Sequence, residues 1–138
     1  FQLKPSFAYK IEMAINDSAT SRKKYEVLLK YHKTEIKDIR KERVERLKSL
    51  NFQLIYISAF YDILMCKFDL SKKKQNEKIA FAATAYNYGF LENMAEIEKH
   101  IKDSYFPYGS KYKGKQYAYS DVSVYFWKNH YSQIFENK

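Results

Sequence analysis

Neither glycine nor proline occurs between Pro5 and Gly89. These residues are the strongest local breakers of regular structure, so a stretch this long without them is predicted to be helix joined by short polar turns. Softer signals divide it. A first helix is predicted over Ser6–Ile15, with Phe7, Ile11 and Ala14 on one face. Asn16-Asp17-Ser18 closes it and offers a cap for the next. From Thr20 to Ser49 the pattern predicts one long charged helix. Its apolar stripe is Tyr25, Leu28, Leu29, Ile36, Ile39, Leu47 and Leu50, and its solvated face is Arg40-Lys41-Glu42-Arg43 with Glu45 and Arg46.

The next segment, about 51–68, is apolar on nearly all sides and is predicted to be a central helix surrounded by the others. Asp69-Leu70-Ser71 breaks it, and Ser71 opens a helix through Tyr86 in which Ala80, Ala82, Ala83 and Ala85 permit close approach of a neighbour. Gly89 is expected to end that helix in the left-handed conformation. A helix over Leu91–Lys102 follows. Ser104–Ser120 is the one clear loop, with Pro107, Gly109 and Gly114 set among tyrosines and lysines; loops of that length tend to be functional. A last helix, Asp121–Phe135, is capped by Ser120 or Asp121 and is expected to bury Val122, Phe126, Trp127 or Ile134. The fold class is therefore all-α: a compact multi-helix single domain over 1–138, built around the helix at about 51–68.

Hydrophobic residues at 46% and charged residues at 30% are a globular balance, and 138 residues suffice for one core. With 14 Tyr, either the core reaches the surface or an aromatic groove is exposed. The net charge of +9 is spread along the chain and favours polyanionic partners: nucleic acid, anionic lipid or an anionic cell-wall polymer. The single Cys66 sits in an apolar run, where a buried inert thiol is expected, and no internal disulfide is possible. No apolar run reaches the length of a transmembrane segment. A chain that begins with Phe1 is expected to have lost an upstream piece; were that an export signal, the location would be periplasmic or secreted.

No phosphate-cradling glycine motif, His-Glu-x-x-His, Gly-x-Ser-x-Gly or Cys/His metal spacing occurs, so no cofactor or metal is expected. His32, His100 and His130 are expected as surface or interface residues. One segment carries a lead. Ala85-Tyr86-Asn87-Tyr88-Gly89 resembles the Ala-Tyr-Asn-x-Gly signature of lysozyme-like lytic transglycosylases and goose-type lysozymes. The stretch Tyr117-Ala118-Tyr119-Ser120-Asp121-Val122 is similar to the Tyr-Val-x-x-Val stretch near that family's end. With the helix at 51–68, the likeness spans roughly the last two-thirds of the chain, though only Tyr-Asn-x-Gly is specific.

The resemblance implies a lysozyme-like fold and a bacterial glycosidase or lytic transglycosylase acting on peptidoglycan, with Tyr86, Asn87, Tyr88, Tyr117 and Tyr119 orienting the sugar. It also implies one glutamic acid as general acid. Glu12 stands at the matching distance upstream, although Met13 replaces the family's Ser and no glycine-rich loop follows. In this role Glu12 would sit in an apolar pocket of Phe7, Ile11 and Ile15, stay protonated, and lie within about 10 Å, one sugar ring, of Tyr86 and Asn87. Two other classes compete. The Tyr/Lys-rich loop at 105–119 suits a non-catalytic protein-interaction module. The same composition suits single-stranded nucleic acid, which ranks last because no nucleic-acid-binding motif accompanies it. The expected partners are an anionic glycan or cell-wall polymer first and a protein second.

Overall fold

The computed structural model describes residues 3–135. Among them the elements are α1 (Pro5–Asn16), α2 (Ala19–Lys24), α3 (Glu26–Leu29), α4 (Ile36–Arg46), α5 (Leu50–Lys67), α6 (Gln75–Tyr88), α7 (Met94–Lys99) and α8 (Tyr119–Phe135). The only β pairing among the described residues is an isolated bridge, Phe106 with Tyr117, so the fold is all-α. No single described helix is long and apolar enough to cross a membrane. The contacts gather into two compact units, Phe1–Lys67 and Phe68–Lys138, and each builds its own core.

In the first unit Pro5 sits in the opening turn of α1, where its missing N–H costs nothing. Ala8, Ile11 and Ile15 recur at helical spacing on one buried face. That face meets α5, which buries Tyr56, Ala59, Phe60 and Leu64. Phe7 and Phe60 meet edge to face at 5.3 Å. α5 is not surrounded as predicted: Leu50, Leu54 and Tyr61 on its other sides are half or more exposed. Cys66, near its end, is exposed rather than buried.

The helix predicted over Thr20–Ser49 is broken into α2, α3 and α4. Ser18 caps α2 by accepting from the Ser21 N–H at 3.4 Å. The chain then leaves the helix at Lys30, whose backbone is extended, and returns to it only at Ile36. The reason is non-local. Arg46 donates to the carbonyls of Val27 at 3.2 Å, Leu28 at 3.4 Å and Lys30, which satisfies acceptors that a continuous helix would otherwise use. Glu42 accepts from the His32 N–H at 3.0 Å. The solvated face is corrected with it: Arg43 and Arg46 are buried, while Ile36 is 69% exposed.

In the second unit Phe68, Leu70, Phe81, Ala85, Phe90, Ile97 and Ala118 are buried. Phe68 and Phe81 meet edge to face at 5.2 Å. α6 starts later than Ser71. The Ser71 N–H closes a turn on the Asp69 carboxylate at 3.0 Å, and the Glu77 carboxylate then accepts from the Lys74 N–H at 2.7 Å to open the helix. α6 runs against α7 and α8. Gly89 ends it at φ 156°, ψ 114°, outside the left-handed helical region that had been expected, with its N–H reaching the Ala85 carbonyl at 3.1 Å. α7 is shorter than predicted and is capped by Asn93, which accepts from the Glu96 N–H at 2.9 Å.

The loop holds its shape. Phe106 and Tyr117 exchange both backbone bonds at 3.0 Å, and the Gln116 amide donates to the carbonyls of Gly109 at 3.0 Å and Tyr112 at 2.5 Å. On α8 the predicted burial fails for Val122 and Phe126, both exposed. Trp127 is half-buried, and the side chain of Ile134 lies outside what the structure describes.

Candidate functional site: a polar cleft at the end of α6

The last turn of α6 carries Thr84, Asn87 and Tyr88 at spacings of three and four, so one side of the helix presents all three. Together with His100, Asp103 and Tyr119 they line a cavity of about 180 Å³, and Tyr105 adds a further wall. Two bonds fix the opposite side to the start of α8: Lys102 Nζ donates to Asp121 at 2.8 Å, and the Ser120 hydroxyl donates to the Ile101 carbonyl. The cavity thus has the end of α6 and the start of α8 on one side and, on the other, the turn that follows α7, which these two bonds fasten to α8.

His100 is the chemical centre of this cleft. Its imidazole stacks on the Tyr88 ring with centroids 3.8 Å apart and planes 21° from parallel. Nδ1 lies 2.6 Å from Asp103 Oδ2, and Nε2 lies 3.2 Å from Glu96 Oε1. Both ring nitrogens donate to carboxylates only in the protonated form. The Asp103 contact, helped by Glu96, accordingly pushes the His100 pKa up. The Tyr88 hydroxyl donates to Glu96 at 3.0 Å, which with His100 holds the Glu96 carboxyl below the usual range. The same bond raises the Tyr88 phenol.

Of the residues singled out in the sequence, Asn87, Tyr88 and Tyr119 come together on this cavity. Tyr86 is half-buried and not part of the lining, its ring 6.0 Å from that of Tyr119, and burial raises its phenol. Tyr117 lies apart on the loop bridge, with Lys115 Nζ 5.3 Å from its ring centre. Sequence reasoning missed Glu96, His100 and Asp103. Their spacing of four and three in the chain, across the end of α7, was the available signal.

Glu12 belongs to the first unit and is buried on α1. Its surroundings are not the apolar pocket expected of a proton donor. Arg43 grips both oxygens, Nε to Oε1 at 2.9 Å and Nη2 to Oε2 at 2.6 Å. The hydroxyls of Tyr56 at 2.6 Å and Tyr31 at 2.5 Å donate to Oε1 as well. Burial, then the Glu12 contact, pushes the Tyr31 phenol up to about 12. The same two causes raise Tyr56, and the Glu12 contact raises Arg43. This is a structural clasp in form, with every oxygen of Glu12 employed as an acceptor.

No family model, curated protein or solved structure matches this chain. The lysozyme-like reading therefore rests on the residues of the chain alone.

Proposed function

We propose that this protein is a lysozyme-like, cell-wall-directed module that binds a glycan in the α6 cleft without cleaving it. The observation that carries this reading is the convergence of Asn87, Tyr88 and Tyr119 on one cavity with the His100–Asp103 pair. Sugar recognition needs fixed polar groups that match ring hydroxyls and flat aromatic surface that covers the apolar face of the ring. The cleft supplies the amide of Asn87, the carboxylate of Asp103 and the rings of Tyr88, Tyr105 and Tyr119.

Binding is favoured over cleavage by the partners that the carboxyl groups already hold. A general acid must hold a proton and aim it at the leaving oxygen. Glu12 accepts from a guanidinium and two phenols, and Glu96 and Asp103 are engaged by His100. The test is sedimentation of the protein with purified peptidoglycan, paired with assay of soluble muropeptides. Binding that weakens at least about fivefold in Asn87→Ala and Tyr88→Ala, about 1 kcal/mol or more per lost contact, is expected, with no muropeptide release. Release by the wild type would overturn the non-cleaving reading, and binding untouched by both substitutions would overturn the cleft.

A further inference from the structure

The segment between α7 and α8 springs from the edge of the cleft, since Tyr105 at its start and Tyr119 at its end both line the cavity. Between Ser104 and Ser120 there is no acidic residue, yet Lys111, Lys113 and Lys115 stand exposed within five positions. None of the three has an acidic partner among the described residues, in contrast to Lys24, Lys48, Lys73 and Lys102. The charge is presented on a fixed frame, because the Phe106–Tyr117 bridge and the Gln116 amide hold the loop closed.

We propose that this loop selects an acidic glycan, seating its carboxylates on Lys111, Lys113 and Lys115 while an uncharged ring occupies the cleft; this rests on the glycan-binding reading of the cleft. The division follows from charge. The cleft lining holds one carboxylate, Asp103, already engaged by His100 at 2.6 Å, whereas the loop offers three ammonium groups without an acidic partner among the described residues, and these attract an anionic substituent. Exposed Tyr108, Tyr112 and Tyr117 add hydroxyl edges that suit sugar hydroxyls. Single-stranded nucleic acid fits less well, because base stacking needs open ring faces. Tyr108 and Tyr112 crowd each other, tilted by 52° with centroids 4.6 Å apart, and Lys115 lies against Tyr117.

The experiment compares an oligogalacturonate with its methyl ester, a pair alike except for charge, by calorimetric titration of the full chain. At low salt the free acid should bind about tenfold more tightly, since exposed charge contacts are individually weak and three act together. That advantage should vanish in the triple variant Lys111→Ala/Lys113→Ala/Lys115→Ala and in high salt. Equal binding of acid and ester, or an advantage that survives the triple substitution, overturns the loop's role. A single-stranded oligonucleotide held more tightly than the free acid, through the same lysines, overturns the glycan assignment. Lysine-dependent binding of the acid that Asn87→Ala leaves untouched sinks the cleft reading and upholds the loop's preference for acid.

Discussion

Glu12 and Arg43 are 8% and 7% exposed at their side chains, so neither charge can fall back on water if the other is removed. Breaking a buried pair by deleting one partner typically costs about 3–5 kcal/mol, whereas replacing both by apolar residues is far milder. Urea unfolding of Arg43→Met should show a loss of that order, and Glu12→Leu with Arg43→Met should recover much of it. A single substitution costing under about 1 kcal/mol would show that the clasp is not energetically closed. One practical result is that loss of any activity in Glu12→Gln would speak of the fold before it spoke of catalysis. His100 supports a second prediction. Its pKa is raised by Asp103, so its contribution to stability is complete below the ordinary histidine value and fades as pH rises through the raised one. Glu96 is held low, so its contribution fades as pH falls through the carboxylate range. The cluster is thus strongest between those limits. Proton NMR should find His100 titrating above an ordinary histidine, and Asp103→Asn should bring it down; an unmoved titration would remove Asp103 from that role.

Helices differ in how far each can be read from its own residues. α1 was legible because Pro5 and the Asn16-Asp17-Ser18 cluster bracket an apolar face at helical spacing. The loop was legible from its glycines and proline. The break at 30–35 was not, because what replaces the helical bonds there is a guanidinium from α4, and no local propensity encodes that. Counting hydrophobic residues also misled: Ile36 and Leu50 fit the predicted stripe but face water, while two arginines from the predicted wet face are inside. The cleft was half legible, its Asn87 and Tyr88 through a short motif and its His100 not at all. Removing the guanidinium is the corresponding test. Arg46→Met should speed amide exchange across 27–32 well before it affects α5, and unchanged protection there would mean that α3 holds itself. In the loop, Gly109 has φ 85°, a region that costs an L-residue about 1–2 kcal/mol. Gly109→Ala should lose about that much, although nothing near it would clash with the added carbon.

Across the whole chain, 25 basic residues face 16 acidic ones, and like charges at this density repel. The thermal midpoint should rise as sodium chloride increases from very low to moderate concentration; a fall would mean that the ion pairs outweigh the repulsion. The order of assembly follows from a smaller feature. A helix of four residues cannot persist alone, since nucleation consumes more ordering than so few bonds return. The carbonyls at the end of α3 wait for a side chain 16 to 19 positions onward. α3 is therefore made by the docking of α4 rather than before it. In folding kinetics, Leu28→Ala and Arg46→Met should then report the same φ-value, early or late, because they probe a single event; two clearly different values would mean that the turn forms on its own and is merely met there by the arginine.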